Sequence, residues 1–173
     1  METLDSHNQT HNDIKPQNYL VKYVHDENDL VNIEIALTDF GIAGADVKGG
    51  TPIFACPECL ASTERKDKPD VFSLGRVFLF ILLPKELFIE FLYVPVIHGK
   101  SDITIEIEKE PILHLIMKMM QVKNRISLAD IKQSLRSIPV RTISKTASVI
   151  SKIIEKSVTT ETRLYVENLK KIS

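Results

Sequence analysis

The sequence predicts a mainly helical α+β domain that carries one small β-hairpin near its N-terminal end. Two short segments rich in β-branched and aromatic residues come first, and segments with a helical spacing of apolar residues dominate from residue 69 onward. Between them, residues 38–68 are rich in Gly, Pro and small side chains, which is typical of loops. The length of 173 residues is that of one domain.

The two β-like segments occupy residues 19–24 and 31–37, and the polar stretch HDENDL separates them. Because a short polar connection lets neighbouring strands pair antiparallel, we expect a hairpin.

The helices are expected to begin at prolines, which suit the first turn because their missing N–H is not needed there. One helix should run from Pro69 to about Leu83, and another should begin at Pro111. Ser127 precedes LADIKQSL with Asp130 three positions on, a weak capping box. Further helices are expected in ELFIEFLYV (86–94) and in a C-terminal tail, so that the domain covers 1–138 and the tail 139–173.

Composition excludes several classes of protein. Hydrophobic residues make up 43% and charged residues 26%, which excludes disorder as the main state. With 22 basic and 23 acidic residues the net charge is −1, so a nucleic-acid partner bound by bulk charge is not expected.

Membrane and secretion signals are not apparent either. The first ten residues lack the basic and apolar regions of a secretion signal. The longest apolar run, residues 77–83, would cover only about 10 Å as a helix, whereas a bilayer core is about 30 Å thick. A buried core helix is therefore preferred to a membrane segment. The default localisation is cytoplasmic, with the nucleus left open.

Five motifs carry the chemistry. In chain order they are HNDIKPQN (11–18), DFG (39–41), GGTPIFACPE (49–58), DVFSLG (70–75) and NRISLADI (124–131). A lone DFG would mean little, but five motifs in this order are specific. They resemble the catalytic loop, the metal-binding segment, the end of the activation segment, the central helix and the late Arg-bearing segment of eukaryotic protein kinases. The resemblance covers about residues 8–136.

The resemblance implies transfer of the γ-phosphoryl group of ATP to hydroxyl groups of a protein substrate, with Mg²⁺ as cofactor. Asp13 would orient the hydroxyl and accept its proton. Lys15 would neutralise the transferred phosphate, and its presence is similar to the serine/threonine type. Asn18 and Asp39 would supply oxygen ligands to Mg²⁺ from opposite ends of the hairpin.

The resemblance also implies structural roles around the catalytic loop. His11 and Phe40 would pack together behind the metal site, and Gly41 would permit special backbone angles beside it. Asp70 would accept backbone N–H groups of the catalytic loop.

Further roles concern the segment that follows DFG. Thr51 would shape the substrate-binding loop and contact Asp13 and Lys15. Glu58 would form a buried ion pair with Arg125.

One departure from the kinase pattern lies beside the catalytic Asp. Asn12 stands where the family has an Arg that receives a phosphate on the activation segment. Thr51 carries the only hydroxyl side chain between Phe40 and Pro57. We therefore expect that any activity does not need phosphorylation of this segment.

The Cys-x-x-Cys sequence CPEC (56–59) could be a redox or zinc motif. A zinc site needs four ligands, and the chain contains no second pair of cysteines. Overlap with the Ala-Pro-Glu position of kinases explains Cys56 without thiol chemistry, so functional thiols are not expected.

The glycine-rich loop, the strand Lys, its Glu partner and the hinge of a kinase all precede the catalytic loop, yet only ten residues precede His11 here. The chain therefore resembles the C-terminal lobe alone, and by itself it should have negligible kinase activity. The preferred interpretation is part of a serine/threonine kinase whose exposed lobe surface is covered by an N-lobe or a partner protein. The alternatives are a pseudokinase or interaction module without phosphoryl transfer and, third, an unrelated helical domain.

Overall fold

The computed structural model of the chain describes residues 7, 9–25, 31–44, 50–61, 68–83, 88 and 110–139. Within these residues the chain is a mixed α+β protein, as predicted. Its elements are a 3₁₀ turn at Pro16–Asn18, strands β1 (Tyr19–His25) and β2 (Val31–Leu37), and helices α1 (Pro57–Leu60), α2 (Pro69–Leu82), α3 (Pro111–Met119) and α4 (Leu128–Ser137).

The sequence locates both strands and the three longer helices, and α2 and α3 begin at the expected prolines. Helix α1 lies in a segment that the sequence assigns to loop, because four residues are too few to show helical periodicity. The hairpin turn, nearly all of the helix expected at 86–94 and the tail beyond residue 139 lie outside the described residues.

The hairpin consists of seven antiparallel residue pairs, from Tyr19 opposite Leu37 to His25 opposite Val31. At the end that joins the catalytic loop, the Thr38 N–H donates a hydrogen bond of 2.9 Å to the Asn18 carbonyl. Four large apolar side chains of the hairpin are more than half exposed, namely Leu20, Tyr23, Ile33 and Ile35. The ladder therefore positions Asn18 beside Thr38 without burying these hairpin side chains.

The chain divides into two compact units. The first comprises residues 1–77 and 119–128, and it contains all the residues that the sequence proposes for the site. Its core includes a buried cluster of Ala55, Cys56, Cys59 and Phe72, against which Met120 packs.

Two guanidinium groups lie over the Phe72 ring of this first unit. Those of Arg76 and Arg125 lie 5.2 Å and 5.0 Å from the ring centroid. Cation–π contacts of this kind are favourable when the cation is shielded from water. Phe72 thus links the apolar core to the positively charged side chains around it.

The second unit comprises residues 78–118 and 129–173, and its described interior is apolar. Phe80 meets Phe88 edge-on, with ring centroids 5.4 Å apart. The other buried side chains here include Leu79, Leu83, Ile112, Leu113, Leu115, Ile116 and Ile131. No helix in the described part of the chain is long and apolar enough to cross a membrane.

The two cysteines of the chain, Cys56 and Cys59, are joined by a disulfide with their Cα atoms 5.1 Å apart. The sequence does not predict this bond, and in the structure neither cysteine is a free thiol. Their three-residue separation on a single turn of chain brings the two side chains together, which is the usual consequence of Cys-x-x-Cys spacing.

Candidate active site

The backbone of the catalytic loop is held by a side chain from the first turn of α2. The buried Asp70 carboxylate accepts the His11 N–H at 2.6 Å and the Asn12 N–H at 2.9 Å. Burial raises the pKa of the Asp70 carboxyl, and the two backbone hydrogen bonds oppose this rise only in part. A helix and a loop that are 58 residues apart in sequence are thus joined by one side chain.

The His11 side chain, at the start of the loop, is fully buried. Its Nδ1 accepts the Asp13 N–H at 3.3 Å, so Nε2 carries the proton and donates it to the Thr38 carbonyl at 2.9 Å. The Phe40 ring lies 4.9 Å from the imidazole, centroid to centroid, and is tilted by 58°. The two rings are in contact, but Phe40 is half-exposed rather than buried.

Both carboxylate oxygens of Asp13 have hydrogen-bond donors. Thr51 donates to Oδ1 twice, from its backbone N–H and from its hydroxyl, each at 2.8 Å. Lys15 Nζ lies 2.6 Å from Oδ2, and it also donates to the Thr51 hydroxyl at 3.1 Å. Two residues from two separate segments, Lys15 and Thr51, therefore hold one carboxylate in a defined orientation.

The electrostatic environment of Asp13 favours the charged form. Partial burial on its own would raise the pKa of the Asp13 carboxyl, but the hydrogen bonds from Lys15 and Thr51 outweigh burial and lower it. Asp13 therefore stays ionised at neutral pH. An ionised carboxylate of low basicity is suited to orienting a hydroxyl and receiving its proton late, rather than removing it beforehand.

The sequence also proposes Asn18 and Asp39 as oxygen ligands. The Asn18 Nδ2 donates to the Asp13 carbonyl at 2.8 Å, which leaves its Oδ1 as the amide atom available to a cation. Thr38 bonds to the Asn18 carbonyl through both its N–H and its hydroxyl, and the exposed Asp39 follows directly in the chain. An amide oxygen and a carboxylate are hard donors of the kind that Mg²⁺ prefers, so the donor set fits that cation.

In the described residues, no three His, Cys, Asp or Glu side chains cluster as a metal site would require. Asn18 and Asp39 alone would not complete the coordination of Mg²⁺. This incomplete donor set is typical of sites where Mg²⁺ takes its other ligands from phosphates and water.

The expectation for Gly41 is wrong in its physical reason. Gly41 does not have a positive φ, whereas its neighbour Asp39 does, at 64°. A side chain at position 41 would instead approach the Asp39 carboxylate, because a Cβ there would lie 3.2 Å from Oδ1. Glycine therefore leaves room for Asp39 rather than supplying an unusual turn.

The predicted ion pair between Glu58 and Arg125 is present. Arg125 Nη1 lies 2.5 Å from Glu58 Oε1, and the Arg125 side chain is fully buried. Lys68 Nζ donates to the Arg125 carbonyl at 3.0 Å, which adds a second tie to the same residue. These contacts lie within the first unit and connect α1 to the segment before α4.

Sequence reasoning missed two features of the site. The Asn12 side chain bonds to the backbone after DFG, although the sequence reading notes Asn12 only as a lost Arg. Tyr19 is mostly buried, and burial together with the Asp70 charge raises its pKa to about 12. Neither feature has a sequence signal, because each depends on groups that only the fold brings close.

The fold and the site together define a class. A carboxylate held beside a lysine ammonium group, with an amide oxygen nearby and a second carboxylate next to Thr38, which bonds to Asn18, is the arrangement that enzymes of phosphoryl transfer use. The loop is anchored on a helix by a buried Asp, and the hairpin connects the two segments that bear oxygen ligands.

Comparison with known proteins agrees with this class. The family model described as protein kinase domain matches residues 1–169, so the chain belongs to the protein kinase family. This match extends further toward the C-terminus than the motifs do.

Relatives of this chain are serine/threonine kinases. It is 35% identical over 85 residues to serine/threonine-protein kinase 33 of Mus musculus, covering 42% of this chain and 17% of that protein. It is 39% identical over 83 residues to serine/threonine-protein kinase H1 of Homo sapiens, covering 43% and 18%. It is 38% identical over 84 residues to the putative serine/threonine-protein kinase/receptor R818 of Acanthamoeba polyphaga mimivirus, covering 45% and 5%. The chain thus matches less than a fifth of each relative's length.

Proposed function

We propose that this chain is the C-terminal lobe of a serine/threonine protein kinase, and that the full-length protein transfers the γ-phosphoryl group of ATP to hydroxyl groups of a protein substrate. The observation that carries the proposal is the Asp13 carboxylate, which Thr51 and Lys15 hold at 2.6–2.8 Å. A chain without catalysis has no physical need to hold an ionised Asp beside a Lys in a partly buried loop.

Asp13 acts as the catalytic residue in this proposal. Its carboxylate accepts the hydrogen bond of the substrate hydroxyl and so directs the oxygen toward the phosphorus. Because hydrogen bonds from Thr51 and Lys15 lower the pKa of Asp13, the proton moves to it only as the new P–O bond forms.

Lys15 has two tasks that follow from its position. Its ammonium group holds Asp13 in place, with the nitrogen 2.6 Å from Oδ2. The same group presents a positive charge beside the reacting hydroxyl, where negative charge on the transferred phosphoryl group is neutralised. Lys15 therefore orients the base and stabilises the transition state.

Asn18 and Asp39 hold Mg²⁺ in this proposal, through an amide oxygen and a carboxylate. When bound, the cation neutralises charge on the phosphates of ATP. The Asn18 amide is already oriented by the Asp13 carbonyl at 2.8 Å, so a direct hydrogen bond connects the backbone of Asp13 to one residue of the proposed cation site.

We also propose that a second lobe or a partner protein covers the hairpin. Apolar side chains that are more than half exposed, Leu20, Tyr23, Ile33 and Ile35, support this proposal. We expect the 173-residue chain alone to show negligible phosphotransfer.

The test is a phosphotransfer assay on the full-length protein from its source cells, with Asp13→Asn as the variant. We expect incorporation of phosphate into Ser or Thr, and a fall in kcat of about 10²–10⁴-fold in the variant. Binding of Mg²⁺-ATP should change little. Asp130→Asn is the matched control, because Asp130 is exposed in the first turn of α4.

Two results would contradict the proposal. Equal kcat in wild type and Asp13→Asn would remove the role of Asp13. A folded full-length protein that binds no Mg²⁺-ATP would instead support an interaction module without phosphoryl transfer.

A further inference from the structure

Asn12 lies between two parts of the segment that follows DFG. Its side-chain nitrogen donates to the Ile42 carbonyl at 3.0 Å and to the Gly44 carbonyl at 2.9 Å. Two carbonyl oxygens on the same atom identify it as the nitrogen, because the amide oxygen would repel both of them. The direction of the Asn12 amide is therefore fixed by its partners.

Thr10 completes this contact from the other side. Its hydroxyl lies 2.8 Å from the Asn12 Oδ1 and 2.6 Å from the Gly44 carbonyl, and the Gly44 N–H donates to the Thr10 carbonyl at 2.9 Å. We call the contact among Thr10, Asn12, Ile42 and Gly44 the amide clasp. It joins positions that are about 30 residues apart in the chain.

The backbone of Asn12 is also specialised. Its φ is 66°, a left-handed conformation that Asn adopts more readily than most residues. Gly50 packs directly on its carbonyl, since a Cβ at Gly50 would lie 2.4 Å from the Asn12 oxygen. Asn12 thus touches residues 42–44 with its side chain and residue 50 with its backbone.

A phosphate has no evident place in this arrangement. Thr51 is the only hydroxyl residue between Phe40 and Pro57, and its hydroxyl is already bonded to Asp13 and Lys15. A phosphoryl group on Thr51 would place negative charge against the Asp13 carboxylate. The segment therefore needs an anchor other than a phosphorylated side chain.

We propose that Asn12 is a positioning residue that fastens residues 42–44 to the catalytic loop through its own amide, so that this anchoring does not depend on phosphorylation. Two neutral hydrogen bonds from the Asn12 amide anchor the segment here, whereas an Arg–phosphate pair anchors it in kinases with Arg at this position. Its relevance to turnover rests on the proposed phosphotransfer, but the anchoring itself does not.

The test measures amide hydrogen exchange at Gly44 by NMR in the full chain. Asn12→Ala removes both donated hydrogen bonds, and we expect Gly44 exchange to quicken by about tenfold or more. Asn124→Ala is the matched control, because Asn124 is exposed and has a similar φ of 57°. Both variants lose an Asn from left-handed backbone, so the difference between them isolates the clasp.

Asn12→Asp gives a second readout in case the alanine variant does not fold. It keeps the acceptor for Thr10 but sets a carboxylate against two carbonyls, so Gly44 exchange should again quicken. Unchanged Gly44 exchange in both variants would overturn the proposal. So would faster Gly44 exchange in the wild type after phosphatase treatment, since a phosphate would then be the anchor.

Activity separates this proposal from the proposed function. In an active full-length protein, Asn12→Ala should lower kcat more than it raises the KM for ATP, and phosphatase treatment of the wild type should change neither. Faster Gly44 exchange in Asn12→Ala, in a full-length protein that shows no phosphotransfer, would support the amide clasp and refute the proposed kinase function.

Discussion

The catalytic loop and the hairpin adjoin in sequence, yet they are held in opposite ways. Residues 10–18 are fixed by side chains from distant segments, with Asp70 beneath the loop and Thr51 beside it. Residues 19–25 and 31–37 are held mainly by their own ladder, and large apolar side chains such as Tyr23 and Ile35 are more than half exposed. The side chains of the candidate site therefore depend on buried contacts, whereas the hairpin connects them with little burial of its own apolar side chains.

This difference indicates which part of the candidate site is organised by the chain's own contacts. Every described contact of the Asp13 carboxylate comes from residues of the first compact unit. A two-stranded hairpin with exposed faces is only marginally stable without further packing. We therefore expect substitutions in the anchors to cost much more than substitutions in the hairpin.

The largest effect is expected for Glu58→Ala, because it leaves the fully buried Arg125 guanidinium without its carboxylate. Breaking a buried ion pair costs about 3–5 kcal/mol of unfolding free energy. Urea denaturation of the chain measures it. The matched control is Lys22→Ala, which removes an exposed hairpin pair with Glu34 and should cost less than about 1 kcal/mol. Equal losses of unfolding free energy in Glu58→Ala and Lys22→Ala would contradict the expected difference between the anchors and the hairpin.

Asp70→Asn should have the next largest effect, since a neutral amide cannot accept both N–H groups equally well. We expect a loss of about 1–3 kcal/mol, measured by urea unfolding. The pKa of Asp70 is raised above 3.8, so the stability it contributes is fully present below pH 3.8 and is lost as the pH rises through the folded-state pKa. The gap between wild type and variant should shrink with rising pH, and a widening gap would contradict the account.

Asp13→Asn should show the opposite dependence. The pKa of Asp13 is lowered below 3.8, so its contribution is fully present above pH 3.8 and is lost as the pH falls through the folded-state pKa. The gap between wild type and variant should be constant near neutral pH and should narrow in acid. A pH series of the same unfolding measurement checks this, and parallel curves for Asp13→Asn and Asp70→Asn would refute it.

The smallest effect is expected within the hairpin. Ile33→Thr replaces a side chain that is 58% exposed and lies opposite Tyr23, and Thr keeps the β-branched shape that suits a strand. The loss should be below about 1 kcal/mol in thermal or urea unfolding. A loss as large as that of Asp70→Asn would show that the exposed hairpin faces contribute to stability.

Much of the candidate site could be predicted from the sequence, because its motifs indicate which residues lie in contact. The contacts of Asp13 with Thr51, of Asp70 with the loop backbone and of Glu58 with Arg125 all follow from the resemblance. The strands and the longer helices follow from periodicity and from their prolines.

The rest depended on facts that no single segment contains. The amide clasp needs the Gly44 carbonyl to reach Asn12 across 32 positions. The left-handed φ in the DFG segment is on Asp39 and not on Gly41. Helix α1 is stabilised by its surroundings in the fold, since its Cys59 is buried and bonded to Cys56. Tertiary context decided each of these features.

Buried side chains anchor the catalytic loop, whereas the described strands of the hairpin are held mainly by their own ladder. Residue-resolved amide exchange tests it most directly. We expect the N–H groups of His11, Asn12 and Thr51, which donate to Asp70 and Asp13, to open with free energies close to that of global unfolding. The ladder amides of β1 and β2 should open at clearly lower free energy. Ladder amides as protected as those three would contradict the account.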